Sequence, residues 1–353
     1  MHKKKIFVFA FLAIVIALAG FVLKTFRDAG EFKQIVPRSF GAVRSLRGVL
    51  SSEDITINPL TGIAFISSAD RRAQLSGKQP KQGAIFAYDL NDEDAHLRNL
   101  TAGFEKAFHP HGITIYVHED SSVTLFAINH NSDGHFVEVF EERGGRFIHR
   151  QSISSPQMFS PNDLVALDAN RFYVTNDHGN QTDFGRAIEE YLQLRRSYVL
   201  YYDGSIFRMV AEGLAYANGI NTSADSKTVY VAATVDGSIH VYDRDLQSGE
   251  LAFRERIFLN TGVDNIERDT AGDLWVGAHP KLLTFVDYSK DATVLSPSQV
   301  LKIHPSADGF QTDDVFIDDG STLSGSSVAA VYKNNILIGS VFDEKFLILK
   351  DER

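Results

Sequence analysis

The sequence predicts an all-β fold, a six-bladed β-propeller preceded by an N-terminal apolar helix, and three observations carry that prediction. Short β-rich runs bounded by Gly, Asn, Asp and Ser fill the chain from residue 40 onward, with little helical periodicity between them. The runs arrive in pairs that recur at about 45–55 residues, the spacing of propeller blades. An unbroken apolar run covers residues 6–23.

The apolar run comes first in the chain. Lys3, Lys4 and Lys5 precede it. At about 1.5 Å per residue it nearly spans a bilayer core of about 30 Å. Its length favours a retained anchor with a cytoplasmic N-terminus. The rival is a secretory signal, because Ala17, Leu18 and Ala19 fit a small-residue cleavage pattern. Lys24 and Arg27 on the far side weaken the orientation bias. Residues 1–30 are therefore expected to be a signal anchor or signal peptide, with 31–353 as the propeller domain. That domain would lie outside the cytoplasm, membrane-anchored or secreted.

The expected strands include 62–67, 84–90, 123–129, 136–140, 171–176, 198–202, 228–233, 238–242, 273–277, 282–287, 328–332 and 336–341. About 320 residues at about 50 per blade gives six blades. Each blade has two apolar faces and must stack on its neighbours. A two-sheet sandwich array is the runner-up. Against it, apolar strands recur that end in Asn, Asp or His, as at Asp177, His279 and His130. Such ends would converge on one mouth of a central channel. Residues 184–196 (FGRAIEEYLQLRR) have helical spacing and predict a short helix over one face.

Composition narrows the chemistry. The net charge of −10 over 353 residues, without a basic patch, excludes nucleic acid as a partner. The chain has no cysteine, so it has no disulfide, thiolate nucleophile or Cys-ligated metal. The G-x-S-x-G, H-E-x-x-H, P-loop and G-x-G-x-x-G signatures are absent. What remains is a scattered set of acidic and amide groups: Glu53 and Asp54, Asn162 and Asp163, Asn218, and Asp264 with Asn265, spaced 46 to 109 residues apart. Gathered at a propeller axis, these hard oxygen donors would suit Ca²⁺. Adjacent side chains in each pair would serve two neighbouring ions. The same residue types also form ordinary turns, and composition does not choose between these readings.

The segments SEDITINPLTGIAFISS, HPHGI, SPNDLVAL, FYVTNDH, AEGLAYANGINTSADSKTVYVA, IHVYDR, VDNIERDTAGDLWVGAHP and SSVAAVYKNNILIGSVF, in this order, resemble the paraoxonase/arylesterase family over residues 40–348. The resemblance implies a six-bladed propeller and a calcium-dependent hydrolase of lactones and aryl esters with two calcium ions. The catalytic ion would be held by Glu53, Asn162, Asn218, Asp264 and Asn265. The structural ion would be held by Asp54, Asp163 and the backbone carbonyl of Ile113. His111 would deprotonate the attacking water and His130 would orient it, with Asp264 as the alternative base or nucleophile. Asn162 and Asn218 would add oxyanion stabilisation. His178 and His279 match other positions lining the family's site, while His135 is left among surface or packing histidines. His109 and His111 also read as a zinc pair, a reading the resemblance does not support.

The chain departs from the family in two ways. Animal paraoxonases join the first and last blades by a disulfide, so closure here must rest on strand pairing. Their inserted helix is apolar, whereas Glu189, Glu190, Arg195 and Arg196 charge this one, so contact with lipid particles is not expected to carry over. Two other readings stay open: a gluconolactonase-type propeller with one metal, and a non-catalytic propeller used as a binding platform.

Overall fold

The structure is a computed structural model and describes residues 2–306 and 309–352. Its described residues form six antiparallel sheets, five of four strands and one of five, arranged as blades around an axis. The innermost strands are Ile55–Ile57, Pro110–Val117, Pro161–Ala166, Ala217–Thr222, Gly262–Arg268 and Ser326–Tyr332. Each contacts the innermost strand of the next blade, and the sixth contacts the first.

Period-two alternation builds the core. In Phe172–Asn176, Phe172 and Val174 pack towards the second blade while Tyr173 packs towards the fourth. Six apolar clusters result, one for each junction between blades. The cluster closing the ring joins Ile55 and Ile66 of the first blade to Val328, Leu337 and Ile348 of the last.

Closure rests on strand pairing, as the absence of cysteine required. Gly41–Arg47 pairs along its full length with Lys345–Asp351, so the start of the chain supplies the outer strand of the last blade. Arg38–Ser39 adds an edge to the fifth.

Four helices accompany the blades: α1 (His2–Asp28), α2 (Arg71–Leu75), α3 (Asp183–Tyr191) and α4 (Leu282–Lys290). α3 is the helix expected near 184–196. α4 corrects an expectation, because residues 282–287 were read as a strand. A short apolar run does not distinguish strand from helix, and here a distant group decides. The Glu31 carboxylate accepts from the backbone N–H groups of Leu283 and Thr284 at 2.8 and 3.1 Å, which closes the α4 N-terminus. α1 projects from the propeller, and its apolar segment is unburied. Its base is seated on the same face as α4. The Ala29 carbonyl accepts from the Leu282 N–H at 2.9 Å, and Lys24 reaches Gln193, just past α3, at 2.6 Å.

Candidate metal centre and active site

A repeated irregularity places the polar groups. In each of five blades the innermost strand loses register near its start, between Pro110 and Ile113, Pro161 and Leu164, Ala217 and Ile220, Val263 and Ile266, and Ser326 and Ala329. A bulge leaves its residues unpaired and re-aims their side chains. The residues so released include His111, Asn162, Asp163, Asn218, Asp264 and Asn265. Glu53 and Asp54 enter just before Ile55.

Two glycines let the bulges close around the axis. A Cβ on Gly112 would lie 2.5 Å from Asp163 Oδ1, and one on Gly219 would lie 2.5 Å from Asn265 Cα. A side chain at either position would push neighbouring blades apart.

The upper layer opens into a cavity of about 560 Å³ lined by Glu53, His111, His130, Asn162, Asn218 and Asp264. Three amide oxygens in this layer, those of Asn162, Asn218 and Asn265, are buried without a hydrogen-bond partner. Their Nδ2 groups are engaged elsewhere, with Asp177 Oδ2 at 3.3 Å, Thr234 Oγ1 at 3.1 Å and Glu53 Oε1 at 3.0 Å. Orphaned buried acceptors are costly, and three of them beside two carboxylates fit a bound cation. One N–H of each of two amides is thereby engaged, at Asp177 for Asn162 and at Thr234 for Asn218.

Charge in this layer is uneven. Burial pushes the Glu53 carboxyl up, but the charges of His111 and Arg71, with hydrogen bonds from His111 and Asn265, pull it down to about 2. Arg71 N–H donates to Glu53 Oε2 at 3.2 Å. Burial raises the proton affinity of Asp264, partly offset by His279, whose Nε2 stands 2.8 Å from Asp264 Oδ2. His279 is stacked on Phe285 with ring centroids 3.8 Å apart. His111 Nε2 lies 3.4 Å from Glu53 Oε1, and its Nδ1 lies 2.8 Å from His130 Nε2.

Backbone donors reach both carboxylates of the lower layer. The Ile113 N–H donates to Asp54 at 2.6 Å. Leu164 and Ile220 N–H groups donate to the two oxygens of Asp163 at 2.7 and 2.8 Å. Burial, then repulsion among Asp163, Glu53 and Glu267, holds the Asp54 carboxyl well above the usual range. Burial does the same at Asp163. A divalent cation between them would reverse that direction. Among the described residues no three His, Asp or Glu side chains gather by themselves closely enough to hold a metal. The carboxylates stand instead among amide and backbone groups.

Glu53, Asp54, Asn162, Asp163, Asn218, Asp264, Asn265, His111 and His130 fall in these two layers or at their edge, and His109 and His178 do not. His178 sits outside the main cavity, between Asp177 at 2.6 Å and Glu190 at 2.9 Å, tying α3 down. Burial opposes its protonation, but the two carboxylates raise it to about 9. His109 is buried beside the hairpin and does not line the cavity. The sequence reading missed Arg71, from α2, and His135, both of which line it.

A six-bladed propeller with oxygen donors and histidines at one end of its axis defines a class of ring-shaped proteins with a polar axial site. The family model of arylesterases matches residues 42–348, and the chain belongs to that family. It is 35% identical to human (Homo sapiens) serum paraoxonase/arylesterase 1, covering 93% of this chain and 97% of that one. It is 34% identical to human serum paraoxonase/lactonase 3, covering 96% and 97%. Among solved structures, a gluconolactonase from Xanthomonas campestris aligns with TM-score 0.54 at 16% identity, covering 90% of this chain and 95% of that one. A luciferin-regenerating enzyme aligns with TM-score 0.57 at 12% identity, covering 88% and 95%. These two likenesses concern the fold alone.

Proposed function

We propose that the protein is a calcium-dependent hydrolase of lactones and aryl esters whose reaction takes place on the cavity floor. The observation that carries the reading is the trio of unpartnered amide oxygens on Asn162, Asn218 and Asn265 beside Glu53 and Asp264. These five residues would hold a catalytic ion. Asp54, Asp163 and the Ile113 carbonyl would hold a second, structural ion. An all-oxygen set suits calcium. Bound there, calcium supplies positive charge that polarises the substrate carbonyl and favours negative charge on its oxygen.

The chain's own groups do the rest. Leu282, Phe285 and Phe342 form an apolar wall for the acyl or aryl part. His111 takes the proton of the attacking water at Nε2. His130 holds the other ring nitrogen and fixes the ring's orientation. Burial, then the neighbouring histidines, keeps His130 itself well below the usual histidine range, so it stays neutral. Asp264 is the competing base, and its hydrogen bond to His279 occupies one of its oxygens. The proton returns to the departing alkoxide or phenoxide.

α1 would serve as a retained membrane anchor, with residues 1–30 as the anchor and 31–353 as the propeller hydrolase domain. Supporting this, Lys5–Asp28 is long and apolar enough to cross a bilayer, and Thr25 and Asp28 line the cavity mouth. The propeller would then stand outside the cytoplasm with its mouth beside the membrane.

The test is hydrolysis of one lactone and one phenyl ester, each in calcium and in excess EGTA. Full activity in EGTA would overturn the calcium reading.

A further inference from the structure

We propose that Glu31, in the segment that joins α1 to the propeller, is a positioning residue for the reaction. It holds α4 so that Phe285 lies flat on His279 and His279 stays on Asp264. The proposal rests on the reading above for the part that Asp264 plays.

The start of α4 depends on groups outside it. Its first internal bond runs from the Phe285 N–H to the Lys281 carbonyl at 3.0 Å. The N–H groups of Leu282, Leu283 and Thr284 come before that bond and have no partner within the helix. Lys281, at the cap position, offers no side-chain acceptor. All three donors are met from residues 29 and 31. The Ala29 carbonyl takes Leu282 at 2.9 Å. Glu31 Oε1 takes Leu283 and Thr284 at 2.8 and 3.1 Å, and Oε2 takes the Thr284 hydroxyl at 2.7 Å. A carboxylate also suits the positive end of a helix.

The end of α1 is shaped to make this clasp. The N–H groups of Gly30 and Glu31 return to the Arg27 and Phe26 carbonyls, both at 3.0 Å. That pattern is a Schellman motif, with Gly30 in the left-handed region at φ 77°. The turn brings Ala29 and Glu31 to the same helix end. A Cβ on Gly30 would collide with the Pro280 carbonyl, so the approach needs glycine. Beyond the turn, the Lys33 ammonium donates to the Asn260 carbonyl and ties the segment to the propeller.

The clasp leads to the site in two contacts. Phe285 follows Thr284 directly, and its ring lies on His279 with centroids 3.8 Å apart and planes 21° apart. Both rings line the cavity. His279 Nε2 stands 2.8 Å from Asp264 Oδ2, while its buried Nδ1 has no hydrogen-bond partner. One hydrogen bond lets an imidazole turn about its own contact, so the flat face of Phe285 sets the plane of the ring. Releasing the first turn of α4 would free Phe285, then His279, then the Asp264 oxygen that His279 holds. Orientation of this kind contributes to catalysis without touching the substrate.

The experiment uses the full chain in detergent with calcium and isotope-labelled histidine. Two things are measured: hydrolysis of phenyl acetate, and the carbon-bound ring protons of His279 by NMR. The His279 signal is identified by its loss in His279→Gln. Stacking shifts these protons upfield, and Phe285→Leu marks their unstacked position. Glu31→Ala and Gly30→Ala should both move the signal towards that position. Each should lower kcat about 10-fold, the lower end of what an orienting partner at a metal site is worth, with KM unchanged. Glu31→Gln keeps the Oε1 acceptor and should restore the signal and most of kcat. Circular dichroism checks that each variant is folded. A purely structural Glu31 would lower Tm and leave both the signal and the kcat of the folded enzyme alone, and that result would overturn the proposal. So would a displaced signal with unchanged kcat, or a Glu31→Gln variant as slow as Glu31→Ala. If the parent chain hydrolyses neither lactone nor ester, the functional reading fails by itself, and the ring signal still decides whether Glu31 positions His279.

Discussion

Two layers of the axis, only one residue apart in sequence, solve opposite problems. In the upper layer, Asn162, Asn218 and Asn265 present oxygens that no protein group satisfies. In the lower layer, the Asp54 and Asp163 carboxylates accept from backbone N–H groups. Two of those bonds cross blade boundaries: Asp54 reaches Ile113 of the second blade, and Asp163 of the third reaches Ile220 of the fourth. Neighbours such as Asn162 and Asp163 thus diverge at a bulge, one towards the cavity and one into the joints between blades. On the proposed reading the upper layer would serve the chemistry and the lower would hold the ring closed.

The largest expected effects lie in the upper layer. Asp264→Ala should lower turnover by about 10²- to 10³-fold, the scale of losing a preorganised electrostatic group, while the protein stays folded by circular dichroism. His111→Gln should lose about 10²- to 10⁴-fold and His130→Gln less, because it only orients. A pH–rate profile of His111→Gln on a lactone and an aryl ester separates the two bases. Near-normal turnover on both would leave Asp264 as the base. In the lower layer the effect should move to stability. Asp163→Ala strands two buried N–H groups at about 1–3 kcal/mol each, and should lower Tm by about 4–24 °C at about 2–4 °C per kcal/mol. Equal stability and equal activity of Asp163→Ala and Asp264→Ala would erase the distinction between the layers.

A smaller effect sharpens the comparison through pH. Burial raises the Asp54 and Asp163 carboxyls well above their usual range, and raises Glu267, on the strand Gly262–Arg268, to about 8. A raised folded value means the folded chain binds more protons than the unfolded one. Stability of the metal-free protein should therefore fall as pH rises from the unfolded carboxylate range to about 8. Calcium should reverse the trend at Asp54 and Asp163, because metal binding displaces protons. Melting curves in EGTA and in calcium measure both slopes, and Glu267→Gln should flatten the EGTA slope. Parallel slopes in the two conditions would place no ion in the lower layer.

The fold was largely legible in the sequence because its signals are local. Alternation such as Phe172, Tyr173 and Val174 assigns faces directly, and turn residues mark the period. The identities of the polar residues were legible through family resemblance. The bulges were not, since a register shift belongs to a pair of strands and leaves no mark in either one. His135 was missed for the same reason: its partner is set by the hairpin turn at Ser132 and Asp133, which places it opposite His130. Arg71 was hidden in a five-residue helix whose position over the cavity depends on Arg72. Arg72 binds the Tyr288 and Ser289 carbonyls at 2.6 and 3.1 Å. The helix α4 was read as a strand because its cap, Glu31, lies 252 residues away.

The smallest effect concerns α1. A chain begun at Ala29 keeps the Ala29 carbonyl that accepts from Leu282 and the Glu31 carboxylate that caps α4. It also keeps Gly41–Arg47, the strand that closes the ring. Both layers of the axis are untouched. The residues removed bury none of the apolar span of α1 inside the propeller, so the loss of stability should stay within about 0.5 kcal/mol. Thr25 and Asp28 do line the cavity mouth. KM should therefore change for substrates with long acyl chains and hold for short ones, with kcat preserved in both. The full chain should resist carbonate extraction from membranes, and the shortened chain should remain in solution. A mature N-terminus near Gly20 would show a cleaved signal in place of an anchor. Loss of activity towards short esters in the shortened chain would mean that α1 supports the upper layer through α4, and the separation of anchor from site would fail.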